Sequence, residues 1–125
     1  MRTETILICD DDESIIQILY LILNKFGFNV VSETNSANFF STIVSSRPDL
    51  ILLDYWMPDV NGGEIIKILK SNPATSMIPV ILVSASTEAK KVSTESGADG
   101  FIAKPFQIDE LIALIETKLN SRGFY

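Results

Sequence analysis

Leu50-Ile51-Leu52-Leu53-Asp54-Tyr55-Trp56-Met57-Pro58 is the stretch whose reading decides the fold. Its four leading apolar residues end abruptly in one carboxylate, Asp54, between Pro48-Asp49 and the later Gly62-Gly63 pair. That pattern predicts a short strand buried on both faces. In an open parallel sheet, ligands and chemistry collect just beyond the carboxyl ends of the strands, and Asp54 falls at such an end. A loop aspartate that merely starts a turn is the plainer alternative, and this stretch alone does not choose between them. A second acidic cluster, Asp10-Asp11-Asp12, also ends an apolar run, so one bowl at a sheet edge could gather both.

Upstream, Thr5 to Cys9 reads as a first strand running into the three aspartates. Ile15, Leu19, Ile22 and Phe26 then recur at helical spacing until Gly27, with Asp12, Glu13 and Ser14 suited to the helix N-terminus. Asn29 to Glu33 gives a second strand. Ser36 to Ser45 gives a second helix with Ala37, Phe40, Ile43 and Val44 on one face. Downstream of the central strand, a loop is expected over Pro58 to Gly63, then a helix marked by Ile65, Ile66 and Leu69 and closed by Asn72-Pro73. Pro79 to Ser84 is a fourth strand, Thr87 to Ser96 a polar helix capped by Gly97, and Phe101 to Ala103 a short fifth strand. Ile108, Leu111, Ile112, Ile115 and Leu119 mark a final helix, for which Gln107 is a poor N-cap. Strand and helix alternate throughout, which predicts a parallel sheet covered by helices on both faces. No repeat, low-complexity tract or linker interrupts it, so residues 1–125 are expected to form one α/β domain.

The 125 residues suffice for one domain with a core and are too few for two ordinary ones. Apolar content of 46% with 21% charged residues is typical of a soluble globular chain. A net charge of −6 without a Lys/Arg cluster argues against a nucleic-acid surface. The single cysteine, Cys9, lies in the first apolar run and reads as a buried, inert thiol. The start of the chain is not a signal peptide, and Ile15 to Leu23 is too short to span a bilayer. A cytoplasmic domain is the expectation.

Several strands thus end in polar groups that could meet at one edge: Asp10 and Asp11, Asp54, Ser84 and Lys104. Packed carboxylates repel, and protonation or a cation must relieve the repulsion. A hard divalent ion such as Mg2+ prefers oxygen ligands. Lysine and a serine hydroxyl beside it read as groups that hold an anion, a phosphoryl group foremost. Attack by a carboxylate on phosphorus brings two negative groups together, so a cation and an ammonium at that place have a clear use.

The segments ILICDDD (6–12), PDLILLDYWMP (48–58), NGG (61–63), PVILVSAS (79–86) and GADGFIAKPF (97–106), followed by an amphipathic helix, stand in this order over nearly the whole chain. With them the sequence resembles the receiver domain of two-component response regulators, of the single-domain chemotaxis and sporulation-phosphorelay kind. The resemblance implies a flavodoxin-like sheet of order 2-1-3-4-5 with five helices. It implies Asp54 as phosphoacceptor and a Mg2+ site, with Mn2+ as substitute, made by Asp10, Asp11, Asp54 and the Trp56 backbone carbonyl. Ser84, the Ala85 backbone and Lys104 would bind the phosphoryl group, and Lys104-Pro105 would be a cis peptide. Ser84 and Phe101 would act as switch residues. Implied partners are a histidine kinase or histidine phosphotransfer protein and a downstream protein effector, with no direct contact to nucleic acid or membrane. The chain would assist its own phosphorylation and dephosphorylation rather than act as an enzyme on a separate substrate.

Each residue has a plainer reading. Asp12 caps the first helix. Ser84 can be a strand-end hydroxyl and Phe101 a core aromatic. Lys104 is flanked by apolar Ala103 and Pro105-Phe106, which sets it apart from a surface lysine. Trp56 either packs on the surface or forms a lid over an acyl phosphate. Tyr20 and Leu21 lie off the buried stripe of the first helix and read as scatter or, by the resemblance, as a kinase-docking patch. A dehalogenase-like hydrolase would want an aspartate at position 56, where Trp56 stands. A flavin module would not open on Asp10-Asp11-Asp12, which repel phosphate, and a degenerate receiver would have lost an acidic residue or the lysine. No DNA-binding helix pair follows Tyr125, so output is expected by protein contact.

Overall fold

A computed structural model of the chain describes residues 4–57, 60–85 and 87–120. The strands are β1 (Thr5–Cys9), β2 (Asn29–Glu33), β3 (Leu50–Asp54), β4 (Val80–Ser84) and β5 (Gly100–Ala103). The helices are α1 (Glu13–Lys25), α2 (Phe39–Ser46), α3 (Gly62–Ser71), α4 (Thr87–Ser96) and α5 (Ile108–Asn120), with a 3-10 turn over Ser36–Asn38 before α2. The strands form one parallel sheet of order β2-β1-β3-β4-β5. This is the expected order.

Every residue of β3 and β4 is buried, which is why these segments read as unbroken apolar runs rather than as alternation. Successive side chains point to opposite faces and separate the core in two. On one face Ile6, Ile8, Leu50, Leu52 and Ile81 pack against α1 and α5. On the other, Leu7, Ile51, Leu53, Val80 and Leu82 pack against α2, α3 and α4. The registers Cys9↔Leu53, Asp54↔Val83 and Ser84↔Ala103 bring the carboxyl ends of four strands to one edge. The site residues follow from that alignment.

Two helix faces differ from expectation. In α1 the buried stripe is Ile16, Leu19 and Leu23; Ile15 and Ile22 are half-buried and Phe26 is exposed. In α2 the buried residues are Phe39 and Ile43, while Phe40 and Val44 face solvent. Both helices carry apolar residues on more than one stripe, so periodicity did not fix their rotation, and the 3-10 turn shifts the phase entering α2. The expected loop over Pro58 to Gly63 is shorter, because Gly62 and Gly63 already belong to α3; residues 58–59 lie outside the described residues. In α5 Leu111, Ile112, Ile115 and Leu119 are buried, but Ile108 is exposed. Gln107 does stand at the N-cap, its carbonyl accepting from the Leu111 N–H at 3.1 Å.

Candidate functional site

Asp54 is the last residue of β3 and is only 8% exposed; Asp10, one residue beyond β1, is 4% exposed. Asp11 beside it is exposed, yet one oxygen from each of Asp10, Asp11 and Asp54 lies within 4.8 Å of the others. The Lys104 Nζ, just past β5, stands 3.5 Å from Asp54 Oδ1 and 3.6 Å from Asp10 Oδ2. Two of the three carboxylates, Asp10 and Asp54, therefore share one ammonium. The Lys104–Pro105 peptide is cis.

Local hydrogen bonds set this arrangement. Asp10 Oδ1 accepts the Asp12 N–H at 2.9 Å, which turns the chain at the end of β1. Asp12 itself caps α1, accepting from the Ser14 and Ile15 N–H groups, as its plainer reading held. The Lys104 N–H donates to the Ser84 carbonyl at 2.9 Å, and the Tyr55 N–H to the Val83 carbonyl at 3.0 Å. These bonds carry the parallel ladder one step past the strand ends.

Electrostatics mark the site further. Burial, then the nearby Asp10 charge, pushes the Asp54 carboxyl up to about 6 despite the lysine. Burial likewise raises Asp10. Two like charges about 4 Å apart at an effective dielectric near 20 repel by about 4 kcal/mol; with burial added, the ammonium at 3.5 Å does not return Asp54 to the usual carboxylate range. The cluster is short of positive charge, and its crowded oxygens suit a hard divalent cation. Cys9 is buried and its thiol is pushed up by that burial, which fits the inert reading.

Ser84 is buried at the end of β4, one residue past the partner of Asp54 in the ladder. Ala85 follows it and is exposed. Trp56 is 57% exposed and meets the buried Tyr55 ring edge-on, with centroids 4.8 Å apart. Phe101 is half-buried against the cluster that includes Ala89 and Val92 of α4.

Gly62 was read only as part of a turn and proves to be a positioning residue. A Cβ there would meet the Asp54 carbonyl oxygen at 3.0 Å and Leu82 Cδ1 at 2.8 Å. Its N–H donates to the Tyr55 carbonyl at 2.8 Å. Only glycine lets the start of α3 close on the end of β3. The Asn61-Gly62-Gly63 triplet was the available signal, since Asn61 is also the N-cap, accepting from the Glu64 N–H.

The response regulator receiver domain family matches residues 6–116. The DNA-binding response regulator MtrA of Mycobacterium tuberculosis is 34% identical over 119 residues, covering 94% of this chain and 51% of MtrA. The phosphate regulon transcriptional regulatory protein PhoB of Pseudomonas aeruginosa is 36% identical over 125 residues, covering 98% of this chain and 55% of PhoB. The chain thus spans about half the length of these curated relatives. Among solved structures, the signal receiver domain of a signal transduction histidine kinase from Syntrophus aciditrophicus superposes with a TM-score of 0.89 at 30% identity, covering 98% of this chain and 94% of that one. A CheY-like response regulator receiver domain protein from Methanospirillum hungatei gives 0.88 at 28%, covering 97% of each chain. The sheet order, the strand-end carboxylates and these matches agree: the chain belongs to the response regulator receiver domain family of two-component signal transduction.

Proposed function

We propose that Asp54 is the phosphoacceptor of a phosphorelay and that its modification resets the face made by α4, β5 and α5. One observation carries the reading: a buried strand-end carboxylate faces two others and a lysine 3.5 Å away. In the reaction an Asp54 oxygen attacks the phosphorus of a phosphohistidine or a small acyl phosphate. The new O–P bond forms as the P–N or P–O bond breaks, and the leaving group keeps the bonding pair; imidazole then takes a proton from solvent. Lys104 is close enough to pair with a phosphoryl oxygen, while the Ser84 hydroxyl and the Ala85 N–H donate to others. Asp10, Asp11, Asp54 and the Trp56 carbonyl would hold Mg2+ or Mn2+, whose charge when bound offsets the repulsion between carboxylate and phosphoryl group.

Switching follows from how α4 is anchored. Ala89 is buried and Val92 half-buried, so α4 has little apolar hold, and a weakly packed element is readily biased between two arrangements. Movement of the Ser84 hydroxyl toward the phosphoryl oxygens would leave room that Phe101, on the adjacent strand, turns in to fill. A difference of a few kcal/mol between the two states suffices.

Exposed Ile18, Tyr20 and Leu21 on α1 offer the surface for a histidine kinase or phosphotransfer protein. The −6 charge supports output through a protein effector, not direct contact with nucleic acid; the DNA binding named for MtrA belongs to a protein of which this chain spans 51%. A cytoplasmic location fits this role; among the described residues no helix is long and apolar enough to cross a membrane.

Intact mass after incubation with acetyl phosphate and Mg2+ tests the assignment. One phosphoryl addition is expected, removed by hydroxylamine and lost with EDTA. An Asp54→Asn variant that gains the same acid-labile mass overturns it. For the switch, backbone NMR shifts are compared with and without beryllofluoride, whose BeF3 group stands in for the phosphoryl. Changes should run through Ser84 to residues 87–96 and Phe101; changes confined to the loops around Asp54 leave only the phosphoacceptor role.

A further inference from the structure

Gly62 closes on the end of β3, but the second glycine of the Asn61-Gly62-Gly63 triplet has a different neighbour. Gly63 is buried in the first turn of α3. Its φ is not positive, so its backbone conformation is open to any residue. Glycine is also a poorer helix former than alanine, so neither conformation nor helix propensity asks for it. Close approach does. A Cβ at Gly63 would stand 2.5 Å from Val92 Cγ1, far inside contact distance, so a side chain at 63 and Val92 in its present place exclude each other. Val92 of α4 thus reaches over bare backbone at the start of α3.

The contact matters because α4 has little else to hold it. The face it turns inward is Ala89, Ser93 and Ser96, all buried, with Val92 half-buried beside them. Ala89 and Val92 are the apolar members of that face, and Val92 is the larger. The Ser96 hydroxyl donates to the Ser93 carbonyl at 3.4 Å, within the helix itself. Past α4 the chain is fastened. The Ala98 N–H returns to the Ser93 carbonyl, and the Asp99 carboxylate accepts from Lys70 at 2.7 Å and from the Val80 N–H at 2.8 Å. α4 is therefore tied at its carboxyl end and rests on α3 through Val92. A swing about the tied end carries Val92 off Gly63.

We propose that Val92, seated on the bare backbone of Gly63, is the contact that holds α4 in its unmodified arrangement, and that α4 leaves this seat when Asp54 is modified. The second half rests on the switch reading above; the first does not. Substitutions in the full chain test both. Gly63→Ala should unseat Val92 and move the backbone amide resonances of Ala89, Ser96 and Phe101, none of them a sequence neighbour of either residue, with no phosphoryl mimic present. Val92→Ala, at a half-buried position, should empty the seat and move the same resonances the same way. The two alanines together refit, since the γ-methyls are gone where the new methyl stands, and the resonances should return most of the way to wild type. By linkage Gly63→Ala should also tighten beryllofluoride binding by about fivefold, and the double variant should undo that gain. Unchanged resonances at Ala89 and Phe101 in either single variant, or shifts that simply add in the double one, overturn the seat. Beryllofluoride binding no tighter in Gly63→Ala overturns its release on modification. Wild-type beryllofluoride shifts confined to the loops around Asp54 overturn the switch reading, and are told apart from a failed seat because the alanine spectra need no ligand.

Discussion

The two ends of the sheet hold the same chemical pair, aspartate and lysine, in opposite electrostatic conditions. At the amino-terminal edge Lys70 Nζ donates to Asp99 Oδ2 at 2.7 Å and to the Ser76 and Ile78 carbonyls at 3.2 and 2.8 Å. Asp99 in turn accepts the Val80 N–H at 2.8 Å and returns its own N–H to the Val80 carbonyl. One charge meets one charge, and neighbouring backbone groups are satisfied around them. At the carboxyl edge Lys104 is shared between Asp10 and Asp54 at 3.6 and 3.5 Å, with Asp11 close by. Matched charge fastens loops. Unmatched charge, held in place by strand ends that the core fixes, is charge that a divalent cation would offset.

The comparison makes its largest prediction at the matched end. Lys70→Met takes the donor from two carbonyls and leaves the Asp99 carboxylate only the Val80 N–H, so it should cost about 3 kcal/mol by urea unfolding, with the partial exposure of the pair already discounted. The loss should be the same with and without Mg2+. A loss below about 0.5 kcal/mol, the size of an exposed pair, would erase the distinction between the ends.

At the unmatched end the sign reverses. The Asp54 pKa is raised from 3.8 to about 6 in the folded chain, so the native state binds the proton more firmly than the unfolded one. Its contribution is full below about pH 4 and is lost as pH climbs through about 6. Asp54→Asn removes that loss. In metal-free buffer it should stabilise the protein by about 2 kcal/mol at pH 7.5, the full linkage discounted for solvent screening, with the gain shrinking toward pH 4. Destabilisation by Asn at pH 7.5 would mean that Lys104 already balances the cluster.

A smaller effect is expected from the metal itself. At tenfold its dissociation constant Mg2+ should stabilise the wild type by about 1.4 kcal/mol. Trp56, the single tryptophan, should report the binding by fluorescence. Asp11→Ala should abolish that titration; an unchanged midpoint would put the metal elsewhere.

What could be read from the sequence divides along the same line. Asp10, Asp54 and Lys104 were legible because each interrupts or closes an apolar run, where a charge has no packing reason to be. The Lys70–Asp99 clamp was not: Lys70 falls on the polar side of an amphipathic helix, Asp99 in a turn between Ala98 and Gly100, and 29 residues separate them. The parallel sheet followed from alternation and its strand order from the family resemblance, but the rotations of α1 and α2 followed from neither. With Ile15, Ile16, Ile18, Leu19, Leu21, Ile22 and Leu23 all apolar, contact with the sheet, not periodicity, selects the buried stripe. Gly62 looked like turn chemistry because the close approach that demands it joins segments apart in sequence.

The central claim, that the carboxyl edge lacks positive charge and that Asp54 feels the lack, is tested most directly by counting protons. Calorimetric titration of Mg2+ at pH 6 in two buffers of different ionisation enthalpy gives the number released per ion bound. With Asp54 pushed up to about 6, about half a proton should leave per Mg2+ at pH 6, close to none at pH 8, and Asp54→Asn should lose most of the release. Mg2+ binding at pH 6 with no proton release, or undiminished release from the Asn variant, would contradict the account.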